Sequence, residues 1–260
     1  MGVSSLPVSV RLALWATAAY QGRLDFARVM TLAAPDVPCH GGRLDCLRIW
    51  HSLGERAVLV ALPRPGDTTS LPRGPAEFID AATDAGECVY VAGIGAALVP
   101  RWGYAGGPRE RSQMLTWELH DCEPVPTHRL EALSLREIDT TLRLELNSAI
   151  ADLEAIHAHP WAGRGLRELA DARMGADTGG TLGLPDGLPP RSLRLIALAS
   201  TLATVADLGL EQLPDAHNLA VTTARAQRLR RLQVAADASL AAVTCVAAMT
   251  MAGWRSRIND

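Results

Sequence analysis

Arg56-Ala-Val-Leu-Val-Ala-Leu-Pro-Arg-Pro-Gly-Asp67 is the stretch from which the rest of the chain is read, and it runs on through Thr68, Thr69 and Ser70 to Leu71-Pro72-Arg73-Gly74. Residues 57–62 are an unbroken apolar run, the pattern of a strand covered on both faces. The run stops at Pro63. The polar loop behind it carries Arg64, Arg73, Asp67 and three hydroxyls, and Pro75 opens a helix that bears Phe78, Ile79 and Ala82 and ends at Gly86. Cys88-Val-Tyr-Val-Ala92 then reads as a second strand. Strand, helix and strand at this spacing form a βαβ unit, which predicts that 57–62 and 88–92 are adjacent and parallel.

Downstream, Gly93-Ile94-Gly95 reads as a tight turn into 96–99, making a hairpin. A dinucleotide fingerprint would need a helix there, and Leu98-Val99-Pro100 follows instead. Residues 102–112 are Gly-rich and read as a loop. Leu115, Trp117 and Leu119 alternate with mostly polar neighbours, the signature of a half-exposed edge strand, so the sheet is expected to be mixed. Upstream, Ser4 or Ser5 can cap a first helix with Val8, Leu12, Trp15 and Ala19 on one face. That segment is apolar enough to resemble a signal sequence, but its charge pattern does not fit one. A second helix is expected over 25–32, a loop between Pro35 and Pro38, and a third helix over 44–53 with Leu47, Trp50 and Leu53 inward.

Pro124 and Pro126 mark a change of composition, and no strand is expected beyond about residue 130. Ser134 with Glu137 three residues on is a capping box for a long helix whose apolar stripe runs from Leu135 to Ile156. A short helix over 165–174, a loop over 177–190, a buried helix over 192–208 and helix over 215–254, single or broken near Ala235, complete the chain. The fold class is therefore α+β: an α/β-like unit with a small mixed sheet over 1–128, then an Ala-rich helical bundle over 129–260.

Composition excludes several chemistries. All 25 basic residues are arginine, set against 28 acidic ones, giving a net charge of −3. No lysine means no Schiff-base lysine, no Walker A lysine and no kinase lysine. The balanced charge lacks the footprint of a nucleic-acid binder. Five scattered cysteines fit reduced thiols in a cytoplasmic protein better than a disulfide framework. The uncharged run 238–253 is short of a membrane span and reads as a buried helix, so no membrane partner is expected.

Candidate metal ligands lack a site's spacing. Cys39, His40, Cys46 and His51 do not match zinc spacing, His120 and Cys122 share only a strand face, and Glu154-Ala-Ile-His157 has no second copy on another helix. No metal and no cofactor is expected, and no G-x-S-x-G anchors a hydrolase. What remains is the loop: Arg64, Asp67, Thr68, Thr69, Ser70 and Arg73, beside a helix start with free N–H groups, suit a small anionic ligand. The competing reading is that both arginines pair with carboxylates and stiffen the loop. Two functions stay open: a non-enzymatic interaction or ligand-binding protein, and an enzyme acting on a small anion at this loop. Helices apolar nearly all round also predict a homodimer formed through the bundle.

Leu62-Pro-Arg-Pro-Gly-Asp67, Leu71-Pro-Arg-Gly74 and Gly93-Ile-Gly95 with Leu98-Val-Pro100 resemble an uncharacterised family of high-GC, actinobacterial-type bacteria. The resemblance covers mainly residues 6–128 and implies no fold, activity or site residue.

Overall fold

A computed structural model describes residues 6–107, 111–155, 182–211 and 219–255. The expected helix over 165–174, the caps Ser4 and Ser5, and His157 lie outside them.

The chain opens with α1 (Val8–Tyr20), a 3₁₀ turn (Phe26–Arg28) and α2 (Val29–Ala33). Strand β1 (Cys39–Gly42) and helix α3 (Cys46–Ser52) follow, then β2 (Leu59–Ala61), α4 (Ala76–Ala85), β3 (Cys88–Val91), β4 (Ala96–Ala105) and β5 (Ser112–Asp121). The helical half comprises α5 (Thr127–Glu131), α6 (Leu135–Ala155), α7 (Pro190–Glu211) and α8 (Leu219–Met251). No strand follows β5 among the described residues. The five strands form one mixed sheet in the order β1-β5-β4-β3-β2.

Residues 57–62 are buried throughout, as their unbroken apolar pattern requires. Their direction differs from expectation: β2 and β3 are antiparallel, with Leu59 opposite Tyr90 and Ala61 opposite Cys88. The chain therefore leaves β2 and re-enters β3 at the same end of the sheet. The long loop 62–75 carries it out, and α4, which packs against β4, brings it back. An apolar run signals burial on both faces, and burial alone carries no strand direction.

The hairpin turn at 93–95 forms, pairing Val91 with Ala96. Beyond it the strands are longer than expected. Residues 102–105 and 112, read as part of a Gly-rich loop, continue an antiparallel ladder from Ala96–Asp121 to Ala105–Ser112. Strand β5 is also no edge strand, because β1 pairs with it in parallel from Cys39–Met114 to Gly42–Trp117. The sequence Cys39-His-Gly-Gly42 has no strand signature; its partner recruits it. At Gly42, φ is +85° and a Cβ would stand 2.2 Å from the Trp117 carbonyl oxygen, so only glycine fits.

Beside β2 the sheet has no further strand. There the Val58 N–H donates to Thr17 Oγ1 of α1 at 2.9 Å. The Val60 N–H donates to Cys245 Sγ of α8 at 3.4 Å, and that thiol donates back to the Val60 carbonyl at 3.3 Å. Helix α1 packs against β2, β3 and α8 and is buried nearly all round, not on one face. Helix α8 runs unbroken for 33 residues. Its first half packs on α6, where Arg228 meets Asp152 at 3.2 Å and Arg231 meets Glu145 at 3.7 Å. Its second half packs on α1 and β2, so sheet and bundle share one core. Two segments, Pro190–Glu211 and Ala220–Met251, are long and apolar enough to cross a membrane, and both are mostly buried within the fold, as core helices of soluble proteins are.

Gly42→Ala should lower stability in urea unfolding by about 2 kcal/mol or more, through positive φ and the clash with Trp117. Gly41→Ala, whose Cβ meets only Thr116 Oγ1 at 3.8 Å, should stay within about 0.5 kcal/mol of the parent. Equal losses would contradict the β1–β5 pairing.

Candidate ligand-binding groove

The loop behind β2 is organised by its own polar groups. Arg64 and Asp67 exchange backbone hydrogen bonds at 3.0 and 2.8 Å, closing a turn over Pro65-Gly66. Asp67 Oδ1 accepts from the Thr69 N–H at 3.1 Å and from Thr69 Oγ1 at 2.7 Å, so this carboxylate holds the loop. The Leu71 N–H donates to the Thr68 carbonyl at 3.0 Å, and the Glu123 N–H donates to the Arg73 carbonyl at 2.6 Å. That last bond ties the loop to the segment after β5.

The turn at 65–66 separates the two arginines. Arg64 reaches α8, with Nε 2.7 Å from Asp237 Oδ2; the Asp237 side chain is 5% exposed and that of Arg64 33%. Burial pushes the Asp237 carboxyl above its ordinary value, and Arg64 opposes the shift. Glu87 adjoins the same small cavity of about 230 Å³, with Ser200, Thr204 and Asp207. Its Oε2 accepts from the Ser9 N–H at 2.8 Å. Burial raises its carboxyl too, against the bonds from Ser9 and the charges of Arg11 and Arg64. Arg64 thus pairs with a carboxylate, one half of the stiffening reading.

Arg73 faces elsewhere. With Thr68 and Thr69 it lines a groove of about 510 Å³ whose other wall is Glu123, His128 and Arg129. A second cavity of about 230 Å³ continues from it, lined by Thr69, Ser70, Tyr90, Arg129, Ala238, Ala241, Ala242 and Cys245. Thr69, Leu71, Val125 and Arg129 belong to both. Among the described residues neither Arg73 nor Arg129 has an ion-pair partner. The first turn of α4 lines neither cavity, so the helix start expected to assist is not at hand. Tyr90 is buried, and burial pushes its phenol well above the usual range. Cys245 is pushed up to about 11 by burial. Both therefore stay protonated at neutral pH, and Cys245 is a thiol, not a thiolate nucleophile.

The sequence reading missed Arg129 and His128 as members of this site. The backbone bonds from Glu123 to Arg73 and from Val125 to Ala92 help bring them opposite the loop, and sequence spacing does not disclose these bonds. Of the proposed metal ligands, Cys39 and His40 sit on β1, Cys46 is buried, and His51 stacks on Tyr20 with ring centroids 4.8 Å apart. No group of three His, Cys, Asp or Glu side chains among the described residues is placed to hold a metal.

Fold and site together define an α+β protein with a five-stranded mixed sheet, a helical half sharing its core, and a cationic groove where the two meet. Two family models match this chain: Rv1486c-like protein, N-terminal domain, over residues 9–131, and Rv1486c-like protein, C-terminal domain, over residues 136–241. Together they span most of the chain, which belongs to the Rv1486c-like family. No curated protein and no solved structure matches it. The family carries no assigned activity, so function rests on the geometry.

Arg64→Ala leaves the buried Asp237 carboxylate without its cation, and should cost about 3 kcal/mol at neutral pH. Arg73→Ala, at an exposed and unpaired side chain, should cost less than about 0.5 kcal/mol. Without Arg64 the folded-state pKa of Asp237 rises further above its unfolded value. The deficit is then full above the raised pKa and shrinks as pH falls toward the ordinary aspartate range. Urea titrations at neutral and acidic pH measure both; a deficit that grows on acidification contradicts the pairing.

Proposed function

We propose that this protein is a non-enzymatic binder of a small anionic ligand, held in the groove between residues 68–73 and 123–129. The observation that carries the reading is the pair of arginines, Arg73 and Arg129, facing one groove with no ion-pair partner among the described residues. Arginine forks bind carboxylate or phosphate oxygens through parallel N–H donors, and the Thr68 side chain supplies a further polar contact. The adjoining Ala-lined cavity accepts a short apolar portion. Asp67 shapes the loop, Ser70 lines the adjoining cavity, and Arg64 anchors the loop to α8.

An enzyme reading has one supporting observation: His128 enters the same groove from α5. Against it, the Thr69 hydroxyl donates to Asp67, and Cys245 is a neutral buried thiol. Among the described residues no hydroxyl or thiol of the groove is hydrogen-bonded to His128, the pairing a histidine-assisted covalent mechanism requires. Self-assembly through the bundle also has less surface than composition suggested, because Leu240 and Val243 are buried inside the chain.

Calorimetric titration with inorganic phosphate and with succinate tests the proposal. Wild type should bind at least one of them. Arg73→Ala and Arg129→Ala should each weaken binding about tenfold, the loss of a charge-assisted hydrogen bond, while Arg48→Ala, distant on α3, should leave it unchanged. Absence of binding by wild type, or equal binding by the Arg73/Arg129 double variant, overturns the reading.

A further inference from the structure

On the opposite side of α5 lies a larger cleft of about 620 Å³, and two acidic residues line it, the exposed Glu131 and one buried carboxylate. That carboxylate is Glu55, the residue just before the apolar run. The chain leaves α3 through Gly54, and the Glu55 N–H closes onto the Trp50 carbonyl at 3.0 Å. This turns the side chain toward the β3–β4 hairpin, where Oε1 accepts the Ile94 N–H at 2.7 Å. Gly93 makes room: a Cβ there would stand 2.8 Å from Oε1.

Glu55 is 4% exposed. A buried carboxylate ordinarily has a cation or several hydrogen bonds, because removing it from water is costly. Here the backbone N–H of Ile94 is the one donor, and no cation lies within ion-pair distance among the described residues. The rest of the wall is largely apolar. Leu53, which the sequence placed in the core, is 63% exposed at the rim. Ile94 and Trp254 are also partly exposed, and Met249 and Leu130 lie deeper. The one basic residue of the wall, Arg255, donates to the Glu131 carbonyl. Glu55 and the exposed Glu131 do not belong to any group of three ligands that could hold a metal ion among the described residues, and one buried carboxylate in a largely apolar wall suits an organic cation.

We infer that this cleft binds a primary amine with an apolar body, its ammonium group donating to Glu55 and its hydrocarbon lying against Leu53, Ile94 and Trp254. The indole also offers a π-face to the cation. This site is separate from the anion groove and does not depend on it.

Titration of wild type with n-hexylammonium, n-hexanol and n-hexanoate tests the inference, because the three share one chain and differ in the head. Wild type should bind hexylammonium about tenfold or more tighter than hexanol, the value of one charge-assisted hydrogen bond. Glu55→Gln keeps an acceptor for the Ile94 N–H and should bind the amine and the alcohol alike. Trp254→Ala, at a partly exposed side chain, should weaken both while keeping the amine ahead. Equal binding of amine and alcohol by wild type, no binding of either, tighter binding of hexanoate, or an undiminished amine preference in Glu55→Gln overturns it. Arg73→Ala should leave these affinities unchanged; a loss there would place the amine in the wrong cavity and overturn it as well.

Discussion

The open side of β2 is the constraint on which this fold turns. A strand at the end of a sheet has one row of backbone groups without a partner strand, and buried groups of that kind must be satisfied. Val58 and Val60, two residues apart, present their backbone to the same side. Thr17 serves the first and Cys245 the second, each as both donor and acceptor. Two helices distant in sequence are thereby fixed against one strand edge. Both must be apolar on almost every face, since α1 has the sheet on one side and α8 on another. This accounts for the composition of 238–253 from within a single chain. The apolar faces of α1 and of the second half of α8 are the faces that close over β2.

The groove beside the 68–73 loop follows from that closure. Helix α8 arrives beside β2 with Ala238, Ala241 and Ala242 where larger side chains would fill the space, and the cavity beneath the 68–71 loop is what they leave. The loop keeps its shape because Asp67 bonds Thr69, and its height above the helix because Arg64 is tied to Asp237. One arginine of the loop thus sets the frame, and the other is left to face the groove.

Some of this could be read from the sequence and some could not, for reasons that differ by element. Residues 57–62 and 88–91 carry enough β-branched and apolar side chains to be strands anywhere, and α6 to α8 carry their own helical periodicity. Direction was not legible, because the antiparallel return depends on how far loop 62–75 travels before α4 begins. Strand β1 was invisible for another reason: Cys39-His-Gly-Gly42 has no β-propensity of its own and is held by its pairing with β5. The site split in the same way. Local turn chemistry identified the polar loop, but the divergence of Arg64 from Arg73 follows from the turn at Pro65-Gly66. The approach of Arg129 involves long-range backbone bonds, among them Glu123 N–H to the Arg73 carbonyl, fifty residues away, and Val125 N–H to the Ala92 carbonyl. Glu55 gave no signal at all, since a lone glutamate before a strand is ordinarily solvated.

Helix α5, only five residues long, separates the two cavities, and its periodicity explains why they differ in charge. Thr127 and Glu131 are four residues apart and share a face, while His128 and Arg129 fall on the other. Leu130 is buried between and reaches both cavities, as Val125 does just before the helix. One side therefore collects Arg129, His128 and Arg73, and the other collects Glu131 and the buried Glu55. The segregation needs no long-range design. A single turn of helix, pinned by Leu130 at the join of sheet and bundle, presents a cationic wall to one cavity and an acidic one to the other.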